Sequence, residues 1–134
     1  MPGWLQRLRD RFFPQSLGAR GEQLAARYTR RTLRYAILAR NVRCPGGELD
    51  IIALDGKDLV FIEVRTRTSE DFGTPEASIG GHKRRFLTRS AQWYMRRRRV
   101  KGLVPRFDVI AIVWPPNAAP TIRHHRNAFP TGRR

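Results

Sequence analysis

The apolar positions of this chain change their period several times, and each change marks an element. From Leu17 to Leu33 the residues Leu17, Gly21, Leu24, Ala25, Tyr28 and Thr32 recur every three to four positions. That spacing predicts an amphipathic helix with these residues as its buried stripe, and Ser16 stands where a hydroxyl can cap the first turn. Three segments with strand character follow: Tyr35–Val42, Glu48–Leu54 and Leu59–Arg67. Pro45-Gly46-Gly47 separates the first two, and Asp55-Gly56-Lys57-Asp58 has the composition of a hairpin turn. Helical spacing returns from Gly80 to Arg98. Phe86, Leu87, Ala91, Tyr94 and Met95 make its apolar face, while Lys83, Arg84, Arg85 and Arg89 fall largely on the others. Arg106–Trp114 reads as a buried strand stopped by Pro115-Pro116, and Thr121–Arg126 as a last edge strand.

Upstream, Trp4, Leu5, Leu8 and Phe12 recur at helical spacing among arginines until Pro14. The sequence therefore divides into an amphipathic extension (residues 1–16), a single domain (17–129) and a disordered basic tail (130–134). Mixed strands and helices of this order predict an α/β fold, or an α+β sandwich, with a mixed sheet covered by helices. The stretch between Leu59–Arg67 and Arg106–Trp114 has the length of a crossover unit. A chain of 134 residues holds one modest core.

Charge adds a partner class. The net charge is +16, and 24 of the 27 basic residues are arginines, which suit bidentate phosphate contacts. Such a surface attracts polyanions, with phosphate backbones the commonest. A GC-rich genome would also enrich arginine, so charge alone does not assign the partner. The longest apolar runs fall far short of the ~20 residues that span a bilayer, and no run near the N-terminus is long enough for a signal-peptide core. These features point to a cytoplasmic protein without a membrane partner. The single cysteine, Cys44, leaves no intrachain disulfide and no cysteine-based zinc site.

The carboxylates are few and clustered. Eight of the 11 lie between positions 48 and 76: Glu48, Asp50, Asp55, Asp58, Glu63, Glu70, Asp71 and Glu76. In strands alternate residues share a face, so Glu48, Asp50, Ile52 and Leu54 belong together, as do Phe61, Glu63, Arg65 and Arg67. If Gly56-Lys57 forms the turn, or if the loop spans Asp55 to Asp58, Asp50 falls directly opposite Glu63. If Asp55-Gly56 forms it, Glu48 faces Glu63 and Asp50 is its diagonal neighbour. In each register two carboxylates share a face with directly opposed Cβ atoms about 4.5–5.5 Å apart, a repulsion that something must neutralise. A Mg²⁺ or Mn²⁺ ion could do so, and so could Arg65 or Arg67. An Asp, with a Glu two residues before a basic residue on the next strand, is also the arrangement that metal-assisted phosphodiester cleavage requires.

Gly21-Glu22, Gly47-Glu48-Leu49-Asp50-Ile51-Ile52-Ala53, Val60-Phe61-Ile62-Glu63-Val64-Arg65-Thr66-Arg67 and Arg106-Phe107-Asp108-Val109-Ile110, in this order, resemble the YraN-like family. This is a group of small bacterial proteins described as resolvase-like endonucleases, and the resemblance spans about residues 17–129, including the Asn127-Ala128-Phe129 ending. It implies a restriction-endonuclease-like fold with an α-β-β-β-α-β core, nucleic acid as partner (DNA, branched DNA among the forms) and a homodimer as one assembly. It also implies metal ligation by Asp50, Glu63 and the Val64 carbonyl, with Glu22 as an added helical ligand and catalysis by Asp50, Glu63 and Arg65. Arg65 stands where the nuclease pattern has lysine. Arginine can stabilise phosphate charge but cannot act as a base, and Lys83 could supply a relocated lysine.

Arg96, Arg97, Arg98 and Arg99 form a run at the end of the second helix that suits phosphate binding, as do Lys83, Arg84, Arg85 and Arg89 at its start. Trp93 interleaves with the run and could stack on an unpaired base, or simply pack on the domain. Asp108, in an apolar strand, calls for an arginine partner. His124 and His125 point to opposite faces of a strand and read as surface residues. Three functions follow: a metal-dependent endonuclease, a non-catalytic nucleic-acid-binding module on the same fold, or a basic scaffold for an acidic partner.

Overall fold

A computed structural model describes residues 2–5 and 15–130. Leu8 and Phe12 of the amphipathic extension, and the tail from residue 131 on, lie outside the described residues. Within them the order is α1 (Leu17–Arg31), β1 (Ala36–Cys44), β2 (Gly47–Asp55), β3 (Asp58–Arg67), α2 (Gly81–Arg97), β4 (Val104–Val113) and β5 (Thr121–Phe129), with a 3₁₀ turn at Glu76–Ser78 before α2. The five strands form one mixed sheet in the order β1-β2-β3-β4-β5. Only β3 and β4 run parallel, joined by the crossover through α2. This is an α/β fold with a restriction-endonuclease-like core.

The two helices cover opposite faces. On the α2 face, Ile52, Leu59, Phe61, Phe107 and Val109 pack against Phe86, Leu87, Ala91 and Tyr94, and Tyr94 meets the Phe61 ring edge-on. On the α1 face, Ile51, Ala53, Val60, Ile62, Ile110 and Ile112 pack with Ala25 and Ala26. Ser16 caps α1, its Oγ accepting from the Ala19 N–H at 3.2 Å. Of the expected α1 stripe, Gly21 and Ala25 are buried and Leu24 and Tyr28 pack half-buried on the core, with Ala26 and Thr29 added, whereas Thr32 is exposed and caps the helix C-terminus. Close approach to the sheet selects small side chains there. A Cβ on Gly21 would lie 1.9 Å from Thr66 Oγ1, so helix and strand could not keep their present spacing.

The hairpin register follows the Gly56-Lys57 turn. Asp55 pairs with Asp58 and the ladder runs to Ile51–Ile62, which makes Asp50 and Glu63 the next residues. The arrangement with Glu48 opposite Glu63 does not occur; Glu48 pairs with Arg43 across β1. Strict alternation fails just there. Leu49 and Ile52 both pack on the α2 face, while Ile51 packs on the other. The pleat therefore slips at Asp50, opposite Asn41, whose φ of 51° is left-handed. An irregularity of this kind re-aims a side chain.

Candidate active site

Asp50 and Glu63 lie where β2 and β3 part. In place of a further backbone pair, the Val64 N–H donates to Asp50 Oδ2 at 2.9 Å. In an antiparallel pair a residue's N–H and C=O point to the same neighbour, so the Val64 carbonyl is directed to the same opening. Glu63 is almost fully buried. Its Oε2 lies 3.1 Å from Arg65 Nη2 and 3.4 Å from Lys83 Nζ, so a lysine from the start of α2 does reach the position the strand lacks one for. Glu63 Oε1 is buried without a hydrogen-bond partner among the described residues, as is Arg65 Nε.

Asp50 has no ion pair among the described residues. Burial, with the Glu63 charge beside it, pushes its carboxyl up to about 8, against the lowering effect of the Val64 N–H; Glu22 adds to the rise and Lys83 opposes it. Glu22 thus acts on the same site from α1, but its Oε1 accepts from Asn41 Nδ2 at 2.6 Å. The donors near this opening are two carboxylates, that of Glu63 with one oxygen orphaned, and the Val64 carbonyl, oxygen ligands of the kind divalent cations take. Among the described residues no three His, Cys, Asp or Glu side chains gather closely enough to hold an ion alone. Waters and phosphate oxygens would complete such a shell, as they commonly do for Mg²⁺.

The sheet extends this site on the same face. Glu63 pairs with Val109, and Val109 with His125, two strands or about 10 Å away. There Glu76, Arg84 and His125 line a pocket of about 630 Å³ floored by Ile79, Val109 and Phe129. His125 Nε2 lies 2.6 Å from Glu76 Oε2, and Arg123 grips Glu76 at 2.8 and 2.9 Å and also meets Glu70. The sequence named Glu76 among the clustered carboxylates and read His125 as a surface residue, but gave no sign that they meet, because only the fold joins the 3₁₀ turn to β5. The remaining cations divide. Lys83 is at the carboxylates, Arg84, Arg85 and Arg89 are exposed along the first half of α2, and Arg96–Arg99 are exposed at its far end, about 20 Å from Lys83 along the helix.

A second charged cluster has another character. Asp108 is fully buried and accepts from Arg106 at 2.9 and 3.0 Å and from the Asn127 N–H at 3.0 Å, with His124 Nε2 at 2.8 Å. Arg106 continues to Asp55 and Asp58, both at 2.8 Å, and to the Tyr35 hydroxyl at 2.9 Å. The arginine expected for Asp108 is therefore present. His124 belongs to this half-buried network rather than to the surface, because Asp108 lies behind it on the neighbouring strand.

A small, strongly basic α/β domain with a restriction-endonuclease-like core and paired carboxylates at the end of a hairpin defines the class. The chain belongs to the uncharacterised protein family UPF0102, whose profile matches residues 21–112. Among similar proteins, a UPF0102 protein of Geobacter sulfurreducens is 48% identical over 113 residues, covering 84% of this chain and 88% of that one. One from Geotalea uraniireducens is 42% identical over 123 residues (92% and 96%), and one from Solibacter usitatus 41% over 125 residues (92% of each). No helix among the described residues is long and apolar enough to cross a membrane.

Proposed function

We propose that this protein binds nucleic acid and hydrolyses phosphodiester bonds with Mg²⁺ or Mn²⁺ at Asp50 and Glu63. The observation that carries this reading is a carboxylate pair, Glu63 buried and Asp50 half-buried, in which Asp50 makes no ion pair among the described residues and Glu63 Oε1 has no hydrogen bond. Asp50, Glu63 and the Val64 carbonyl would hold the ion, and Glu22 could join after leaving Asn41. Once bound, the ion would polarise a phosphate oxygen and lower the pKa of its water. Lys83 and Arg65, placed on Glu63 Oε2, are positioned to stabilise phosphate charge. Arg65 cannot take up a proton. The net charge of +16 supports a nucleic-acid partner, and the resemblance to resolvase-like proteins favours DNA, including branched DNA, and a homodimer.

Calorimetry with Mg²⁺ and Mn²⁺ tests this reading. The native chain is expected to bind either ion, with affinity rising with pH up to about 8, because the ion displaces the Asp50 proton. Asp50→Ala and Glu63→Ala are expected to abolish binding and any cleavage. No binding by the native chain, with or without DNA present, would sink the enzyme reading. One observation favours a second reading, a non-catalytic nucleic-acid-binding module: Arg65 and Lys83 already neutralise one Glu63 oxygen without any metal. That reading predicts unchanged DNA affinity in both carboxylate variants.

A further inference from the structure

The basic run at the end of α2 closes over the edge strand β1. Val42, Arg43, Trp93, Tyr94, Arg97 and Arg98 line a cup of about 480 Å³ there. Tyr94 is buried and forms its back wall, while Trp93 is only half-buried. The Arg97 guanidinium lies 5.7 Å from the centre of the Trp93 ring, and Arg98 lies 5.9 Å from that of Tyr94. Within the described residues Arg97 and Arg98 make no ion pair. Arg43 has only a 3.9 Å contact with Glu48, both side chains largely in solvent. The cup thus combines an indole with three arginines that have little local negative charge to neutralise.

Its position ties it to the carboxylates. Val42 pairs with Leu49, the residue before Asp50. One cross-strand step and one chain step separate the cup's wall from Asp50, at most about 9 Å between Cα atoms. Trp93 lies ten residues, about 15 Å along α2, from Lys83 at Glu63, so a strand with a nucleotide in the cup can reach the carboxylate pair within a few nucleotides.

We propose that this cup holds an unpaired nucleotide of the bound nucleic acid, its base stacked on Trp93 and its flanking phosphates on Arg43, Arg97 and Arg98. Aromatic stacking needs a free base face, which an uninterrupted duplex does not present, whereas phosphate contacts serve both forms. The cup therefore biases the protein toward nucleic acid with a single-stranded segment beside the site of action. This inference rests on the nucleic-acid reading above but not on catalysis.

Fluorescence anisotropy in EDTA, with a labelled oligothymidylate and a blunt duplex of equal phosphate number, tests it without metal or cleavage. Trp93→Ala is expected to weaken single-strand binding about five- to 150-fold, the range for one stacked base, and to leave duplex binding nearly unchanged. Trp93→Phe, which keeps an aromatic face and guards against misfolding of the alanine variant, is expected to retain most of the affinity. Arg97→Gln with Arg98→Gln should weaken both ligands and flatten the single-strand salt dependence by about 1.4 in log–log slope, about 0.7 for each lost phosphate contact. Equal single-strand binding by the native chain and a folded Trp93→Ala variant would overturn the cup and leave the nucleic-acid reading intact. Failure of the native chain to bind either ligand at physiological salt would overturn both. Binding retained in Asp50→Ala, with Trp93 still required, would support the cup even if no cleavage is found.

Discussion

Two charged clusters share the β2–β3 hairpin, one spreading from its turn across to Asp108 beside Ile62 and the other at its open end, and they are built on opposite principles. At the turn, on the α1 face, Arg106 joins three carboxylates and a phenol, and His124 and a backbone N–H complete the shell of Asp108. Although burial works against both charges, hydrogen bonds overcome it: the Arg106 pKa is raised and the Asp108 pKa lowered. At the open end, burial and the neighbouring Glu63 charge raise the Asp50 pKa, and Glu63, reached by Lys83 of α2, keeps an orphaned oxygen. A satisfied buried network holds strands in place. An unsatisfied one is held in place by the rest of the fold, which is how sites for ligands are commonly built.

The comparison breaks most easily at Arg106. Arg106→Ala should cost about 3–5 kcal/mol, since it takes from the fully buried Asp108 its only arginine among the described residues, measured as a shift of the urea midpoint at pH 7. A cost below about 1 kcal/mol would remove the network from the list of structural supports. Asp50→Asn should act in the other direction. The native carboxyl is protonated up to about pH 8, whereas in the unfolded chain it ionises near 4. The proton-bound form therefore contributes stability that is fully present below about pH 4 and lost as pH rises through 8. The asparagine variant, which still accepts from the Val64 N–H, should be more stable than the native chain at pH 9 by on the order of a few kcal/mol. It should match the native chain at pH 4. Equal stability at both values would show that Asp50 is not held in a repulsive site.

Asp108 carries the opposite sign. Its lowered pKa contributes stability present above the unfolded value and lost as pH falls through the folded one. Acid titration of the native chain and Asp108→Asn should therefore diverge above about pH 4 and converge in stronger acid. A smaller effect sharpens the packing side of the comparison. Gly21→Ala places a methyl against Thr66 behind the open end, and should cost about 1–3 kcal/mol by overpacking, read as a lowered Tm. Smallest is Arg123→Ala at the half-exposed Glu76 cluster, where solvent screening holds the expected loss under about 1 kcal/mol.

Much of this was legible along the chain because it depends on period and turn chemistry. The strand and helix positions follow from apolar spacing to within about two residues at most ends. The pairing of Asp50 with Glu63 follows arithmetically from a turn at Gly56-Lys57. Other features were not legible, for reasons that can be named. The α1 stripe kept Gly21 and Ala25 but gained Ala26 and Thr29 at its centre and lost Thr32, because how closely a helix approaches a sheet depends on the strand beneath it. Residue alternation placed Asp50 on the face of Glu48 and Ile52, but the slip opposite Asn41 turned it toward Val64. Only strand order could bring His125 into line with Glu63, 62 positions earlier, or set Arg43 beside Trp93 and Arg97.

By itself the sequence determined the element order, the basic surface, the hairpin that opposes two carboxylates and the arginine in place of a strand lysine. These depend on local spacing and on residue chemistry that no fold can change. Tertiary structure decided which carboxylates are neutralised. It sent Arg106 to three of them, brought Lys83 from a helix to Glu63, and left Asp50 without an ion pair among the described residues. Neutralisation depends on distances of a few ångströms between residues far apart in the chain, and burial multiplies the energetic consequence of each.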